Sequence, residues 1–337
     1  MKMKNKVFAV LAVICLSLAF VASDCSNTNN RDEEEPSGIK SSFSVYSENG
    51  GTSWSKKDGF PGGKTKKLGY FSSSRDTIFR ISTDETINFI FTTDKGADWH
   101  FIPNSPIGEE YNDISRTDMG LGILVGNNGK IARTVNNCST WSYNSIAPGT
   151  NFIAVDFTTG LTGICIPQNS SNSAYFTSDG GTNWNQCGTM PYSGTLFDVA
   201  FISSFPGTEA AVCGSQGKIL MTTNTGEAWF EAYSPLNDID LTSIGFIDPV
   251  GICVGAEGKI LRTSNRGVTW GVINWGGNNY LRNVYLEGSY YWAVGDDAIL
   301  RSTDQGQTWV NVRTTANQVY TDVLAIKNEC LVIGYDR

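Results

Sequence analysis

The stretch Ser302-Thr303-Asp304-Gln305-Gly306-Gln307-Thr308-Trp309 ends on a tryptophan that belongs to a series. Trp54, Trp99, Trp141, Trp184, Trp229, Trp270 and Trp309 follow one another at intervals of 39 to 45 residues. Seven positions before each stands Ser or Thr, namely Ser47, Thr92, Thr134, Thr177, Thr222, Thr263 and Ser302. Five before stands Asp or Asn, in Asn49, Asp94, Asn136, Asp179, Asn224, Asn265 and Asp304. Three before stands glycine, except at Cys138. An Asx side chain accepts hydrogen bonds from its own turn, and glycine supplies the positive φ of a tight reversal. The eight residues therefore read as a hairpin, with the tryptophan opening the next strand and filling space between sheets.

Working outward, a second turn precedes several copies, as in Gly126-Asn127-Asn128-Gly129-Lys130-Ile131, Gly214-Ser215-Gln216-Gly217-Lys218-Ile219 and Gly255-Ala256-Glu257-Gly258-Lys259-Ile260. Apolar runs such as Leu196-Phe197-Asp198-Val199-Ala200-Phe201 come before it. Each unit then reads as four short antiparallel strands, and a period of about 40 to 50 residues is that of a propeller blade. After Trp309 only 28 residues remain, and 14 run from Ser41 through Trp54. Together they make one period. The expected fold is all-β, a seven-bladed β-propeller of four-stranded antiparallel blades over residues 41–337, the last blade closed by both termini so that no sheet edge is left open at the seam.

Ahead of that domain, Lys2, Lys4 and Lys6 precede an apolar run over residues 7–21, too short for a spanning helix of about 20 residues. Residues 1–24 read as a signal peptide. Cys25 follows Ala22-Ser23-Asp24, which resembles a bacterial lipobox with Asp24 in place of the usual small residue. Lipidation at Cys25 is the expectation. Residues 25–40, with Asp32, Glu33, Glu34 and Glu35, form a polar acidic tether. The address this implies is the bacterial outer membrane or cell surface, or failing the anchor the periplasm or medium. The net charge of −8 becomes −10 once the leader is removed, which argues against nucleic acid as a partner. Of the eight cysteines, Cys165, Cys213, Cys253 and Cys330 lie in apolar runs as small core residues. Cys138 and Cys187 lie outside such runs, and a bridge between them is left open.

The eight-residue turn resembles the Asp-box, which occurs in sialidases, sortilin-type receptors, xyloglucan-cleaving glycosidases and the photosystem II stability/assembly factor family. The longer string from Gly255 to Trp270, with its Gly258-Lys259-Ile260, Arg262-Thr263 and Thr269-Trp270, most resembles that assembly-factor family. The resemblance implies a propeller that binds or helps assemble other molecules, here in a non-photosynthetic envelope setting. Fold alone does not fix activity.

Asp94, Asp179 and Asp304 brace hairpins rather than bind metal, since Asn replaces Asp freely at that position. No cofactor or metal is expected. The single His100 directly follows Trp99 and offers no second histidine for a metal site or triad. Phe79-Arg80-Ile81-Ser82 resembles the sialidase F/Y-R-I-P string, but Ser82 replaces the proline. A sialidase needs an arginine cluster around the substrate carboxylate and placed carboxylates, so no catalytic residue is assigned and a glycoside hydrolase is the alternative. Binding candidates are Arg133, Arg262 and Arg301, which share one position before the box, and a loop over residues 55–68 that carries Lys56, Lys57, Lys64, Lys66 and Lys67. The arginines either form an anion patch or pair with the neighbouring blade. The lysines form a basic patch or a solvated loop, with Lys130, Lys218 and Lys259 on the same face beside the acidic Asp238, Asp240, Glu257, Asp296 and Asp297. The expected partner is a protein or glycan, bound by a monomer.

Overall fold

The computed structural model describes residues 42–59, 65–70, 77–82, 89–102, 111–117, 120–158, 160–203, 207–326 and 328–337. The leader, the tether, Cys25 and Lys64 lie outside the described residues. The described residues open with β1 (Ser42–Ser47) and β2 (Ser55–Asp58). Next come β3 (Thr65–Tyr70), β4 (Ile78–Ser82), β5 (Phe89–Thr92) and β6 (His100–Phe101), hydrogen-bonded in that order into one antiparallel sheet. The same meander recurs in β7 (Tyr111–Arg116), β8 (Gly122–Gly126), β9 (Lys130–Thr134) and β10 (Ser142–Ser145). It recurs in β11 (Phe152–Phe157), β12 (Gly163–Pro167), β13 (Tyr175–Thr177) and β14 (Asn185–Gln186), then in β15 (Leu196–Phe201), β16 (Ala210–Gly214), β17 (Ile219–Thr222) and β18 (Phe230–Glu231). A fifth copy holds β19 (Leu241–Ile247), β20 (Val250–Gly255), β21 (Ile260–Thr263) and β22 (Gly271–Ile273). The chain ends in β23 (Leu281–Glu287), β24 (Tyr290–Ser302), β25 (Val310–Ile326) and β26 (Glu329–Asp336).

The fold is an all-β propeller, and the termini close it: β1 pairs antiparallel with β26 from Ser42 opposite Tyr335 to Ser47 opposite Cys330. Seven separate sheets were expected, whereas hydrogen bonding joins the described strands into six. Five have four strands, and the sixth runs β2-β1-β26-β25-β24-β23. The physical reason is the length of β25. Its first part pairs with β24 around Val310–Thr314, and its second part pairs with β26 over Gln318–Ile326, so one unbroken strand carries the ladder across.

Burial peaks at the second strand of each sheet and falls toward the outer one. The second strands β8, β12, β16 and β20 are buried at every residue, as expected for strands covered on both faces. The outer strands β6, β10, β14 and β18 are exposed throughout. Apolar clusters fill the space between neighbouring sheets. Phe79, Ile81 and Phe89 meet Tyr111, Ile114 and Leu124, and Ile252, Val254 and Ile260 meet Leu281, Tyr291 and Leu300. Leu68 and Ile78 meet Leu324, Leu331 and Ile333 at the seam between the last inner strand and the first four-stranded sheet.

The recurrent hairpin is built the same way in all seven copies. The Ser or Thr Oγ accepts the backbone N–H four residues on, at 2.8–3.1 Å. The Asx Oδ1 accepts the N–H four residues beyond itself, at 2.9–3.0 Å. Asp and Asn present the same oxygen to the turn, which is why they interchange. Gly306 has φ +79°, and a Cβ there would run into Ile252. Cys138 occupies the equivalent place at φ +63° and is buried among Phe89, Ile114 and Leu124. It is a free thiol, as is Cys187, so the two are not bridged.

These turns set a stability expectation. Asp304→Asn keeps the Oδ1 acceptor and is expected to change unfolding free energy by no more than about 0.5 kcal/mol. Asp304→Ala removes acceptors for the Thr308 N–H and the Ser302 hydroxyl and is expected to cost about 1–2 kcal/mol in urea unfolding. Equal losses from both variants would show that charge, not acceptor geometry, holds the hairpin.

Candidate functional site

The inner strands β3, β7, β11, β15, β19, β23 and the second part of β25 line the centre, each against the next, with β25 returning to β3. An inner strand is a sheet edge, and its outward row of N–H groups needs acceptors that the sheet does not supply. Here the preceding sheet supplies them from side chains. Asp113 Oδ2 accepts from Val155 N at 2.8 Å, and Asp156 Oδ2 accepts from Phe201 N at 2.8 Å. Asp198 Oδ2 takes Ile244 N at 3.0 Å and the Ser243 hydroxyl at 2.7 Å. Ser243 Oγ in turn accepts from Val284 N at 3.3 Å. Asp322 Oδ2 closes the circle on Leu68 N at 2.6 Å.

Every one of these inner strands also carries a bulge at the same place. Register shifts fall between Thr65 and Lys67, Tyr111 and Asp113, and Phe152 and Ala154. They recur between Leu196 and Asp198, Leu241 and Ser243, Leu281 and Asn283, and Tyr320 and Asp322. A bulge inserts one residue and re-aims its side chain. The inserted residues and those that follow line a central cavity of about 320 Å³. A second cavity of about 310 Å³ lies farther along the same strands, shares Lys67 and Asn283 with the first, and is lined by Leu68, Tyr70, Arg116, Tyr285 and Leu324.

Charge inside the centre is crowded. Lys67 Nζ stands 3.7 Å from Asp113 Oδ1, a buried oxygen that receives no hydrogen bond. Burial pushes the Asp113 carboxyl up to about 6 despite Lys67, Asp156 up to about 7, and Asp322 up to about 6. Burial alone would lower Lys67, but the charges of Asp113, Asp198, Asp322 and Asp156 outweigh it and hold the ammonium above its ordinary value. By contrast the half-buried hairpin carboxylates Asp179 and Asp304 sit below the usual range, held there by turn hydrogen bonds to Asn183 and Thr308. Among the described residues, no three His, Cys, Asp or Glu side chains are grouped to hold a metal ion.

The residues singled out from the sequence fall in three places. The lysine-rich segment is not one loop but two strands on opposite sides of a sheet boundary. Lys56 and Lys57 lie on β2, the outermost strand, where Lys56 pairs with Asp58 at 2.7 Å and Asp336 at 3.4 Å and Lys57 lies 3.8 Å from Asp98. Lys66 and Lys67 lie on β3 at the central cavity, where Lys66 donates to Tyr111 O and Asn112 Oδ1, each at 3.1 Å. Lys218 pairs with Glu231 at 2.5 Å. The arginines are not brought together. Each reaches the turn of the following hairpin instead: Arg133 Nε donates to Gly180 O at 2.7 Å, Arg262 Nε to Gln305 O at 2.8 Å, and Arg301 to Gly50 O. They do pair with the neighbouring unit, through a backbone carbonyl rather than a carboxylate. Arg80 is wholly buried on β4, and His100 is exposed on β6 against Phe91.

The buried aspartates were missed from sequence. The signal for them was an acid inside an otherwise apolar inner strand, as in Phe152-Ile153-Ala154-Val155-Asp156-Phe157. Their raised folded values give an unusual pH dependence. An unfolded aspartate titrates near 3.9, so between about 4 and 7 the folded chain binds more protons than the unfolded chain, and these groups make stability fall as pH rises through that window. Lowering pH from about 7.5 to about 5 is therefore expected to raise the thermal midpoint, and a monotonic fall would contradict it. At pH 8, Asp156→Asn keeps the acceptor for Phe201 N–H and is expected to match or exceed the parent, whereas Asp156→Ala is expected to lose about 1–3 kcal/mol in denaturant unfolding.

No protein-family model matches the chain, and no curated protein matches it. Solved structures do. Ycf48 from Cyanidioschyzon merolae superposes with a TM-score of 0.63 at 14% identity, covering 82% of this chain and 97% of that one. A Ycf48 bound to a D1 peptide gives 0.61 at 16% identity, covering 82% and 92%. An ancestral GH74 enzyme gives 0.56 at 12% identity, covering 77% of this chain and 39% of the enzyme. The chain is a β-propeller structurally similar to Ycf48 at low sequence identity.

Proposed function

We propose that the chain is a non-catalytic binding scaffold of the bacterial cell envelope, which holds a protein or glycan partner on the face where the central cavity opens. The observation that carries this reading is the cavity itself. It lies where seven bulged inner strands converge, and its polar side chains are fixed by cross-sheet hydrogen bonds, so the surface is preorganised. The likeness to Ycf48, one structure of which has a D1 peptide bound, supports a binding role for the fold.

The finer architecture belongs to the same proposal. The six-stranded sheet serves as two blades, one of β23, β24 and the first part of β25, the other of the second part of β25 with β26, β1 and β2. Seven hairpins and seven bulges support this count. So does the packing of Val294 and Ile299 from one half against Val323, Val332 and Phe43 from the other. A leader over residues 1–24 directs export, and Cys25 carries the lipid. The protein acts as a monomer without cofactor.

The glycoside hydrolase alternative draws on the sialidase-like string at Arg80, and its burial leaves it no contact with a substrate. Pull-down from the native envelope with residues 25–337 as bait is expected to recover a specific partner, and a panel of fluorogenic glycosides is expected to release no fluorophore. Turnover abolished by substitution of a cavity carboxylate would overturn the scaffold reading. Cys25→Ala is expected to move the protein from the membrane fraction to the soluble fraction, and unchanged fractionation would remove the anchor from the proposal.

A further inference from the structure

The seven inserted bulge residues face one opening, and their chemistry is divided around it. Lys66 on β3 and Arg282 on β23 flank Thr321 of β25, because β25 stands between those two strands in the circle. Across the cavity, Ile153 of β11 and Phe197 of β15 stand side by side, each half-buried and part of the cavity wall. Asn112 and Thr242 separate the two arcs, and both are tied down: Asn112 Nδ2 donates to Phe152 O at 2.7 Å and Thr242 Oγ1 to Leu281 O at 2.7 Å. The mouth thus has a basic side and an apolar side, facing one another across a floor of Lys67, Asp113 and Asp198.

We infer that this mouth binds a single carboxylate carried on an apolar body, such as the free C-terminus of a polypeptide ending in an aliphatic residue. The carboxylate sits between Lys66 and Arg282, and the apolar group lies on Ile153 and Phe197. Arg282 spends its Nε on Asp296 at 2.8 Å, and the other N–H groups of its planar fork suit a carboxylate. Lys66 adds a second cation at the rim, its ammonium steadied by Tyr111 O and Asn112 Oδ1. The buried aspartates beneath repel an anion that goes deeper, which confines the head group to the rim and excludes dianions from the floor. The cavity, at about 320 Å³, is at the small end of ligand pockets, which run from about 300 to 1,000 Å³, so it holds the end of a ligand rather than a long segment.

The inference rests on the scaffold reading and names the chemistry of its partner. The test is calorimetric titration of residues 25–337 with N-acetyl-Gly-Gly-Leu as free acid, with the same peptide as C-terminal amide, and with octanoate. The free acid is expected to bind, with the amide at least about tenfold weaker, as for loss of a hydrogen-bonded charge. Arg282→Gln and Lys66→Gln are each expected to weaken the free acid about tenfold, and Phe197→Ser to weaken it without altering the preference for acid over amide. Lys218→Gln, on the outer side of the ring, is expected to leave binding unchanged. Thermal midpoints of the variants separate lost binding from lost fold, and Thr321→Arg provides a second route by enlarging the basic arc and tightening the acid. Octanoate binding in place of the peptide would assign the carboxylate to a fatty acid and support the same mouth chemistry. Equal binding of acid and amide, or no binding of any probe, would overturn the inference. A specific envelope partner recovered in that case leaves the scaffold reading standing, and loss of both removes it.

Discussion

A sheet that ends at the centre of a ring has an edge with no strand to pair with, and the whole molecule is organised around satisfying that edge. The N–H groups of Val155, Phe201, Ile244, Val284 and Leu68 project from inner strands toward the preceding sheet, where a carboxylate or hydroxyl receives each. Leaving such a group buried without an acceptor costs about 1–3 kcal/mol, comparable to a large share of net stability. Cross-sheet acceptance also fixes the order of the sheets, since each acceptor reaches only its successor. Apolar packing between sheets supplies the bulk of the stabilisation and is non-directional. The acceptor ring supplies registry.

That requirement explains the electrostatics. Carboxylates are strong acceptors for backbone N–H, so an acid in each of four inner strands is useful, but four buried charges around one opening repel and are poorly solvated. Lys67 relieves part of the repulsion from β3, one of the inner strands that carry no acceptor aspartate. Protonation relieves more, which is why Asp113, Asp156 and Asp322 rise toward neutral while hairpin acids of the same type fall. Arg133, Arg262 and Arg301, near the end of the strand that enters each hairpin, perform the corresponding task nearer the rim. They bind the carbonyl of the next turn, so those three turns are held both from within, by their own Ser or Thr and Asx, and from behind, by the neighbour.

The recurring turns were legible because their spacing is chemical. Ser or Thr, Asx, glycine and tryptophan each answer a separate geometric demand, and the demand repeats with every unit. Closure by the termini was legible from the partial period at each end, and β1 does pair with β26. The sheet count was less so, because Val310–Ile326 runs as one long strand and only Asn317, at φ +64°, marks where it changes partner. The lysine cluster misled for a related reason. Proximity in sequence across a boundary between units means separation in space, so Lys56 and Lys66, ten residues apart, stand on the outermost and innermost strands. The central ring was hidden for the opposite reason. Successive members of the set Lys67, Asp113, Asp198 and Asp322 stand 46 to 124 residues apart in sequence and are assembled only by the circle.

The most direct measurement is native-state hydrogen exchange resolved at single amides. Leu68, Val155, Phe201 and Ile244 have N–H groups on edges that face a solvent-reachable opening, yet each donates to a carboxylate of the preceding sheet. These four amides are expected to be protected to the same level as the core amides of β8, β12 and β16, and to open only with global unfolding. Exchange at the fast rate of the exposed outer strands would contradict a ring held together by cross-sheet acceptors.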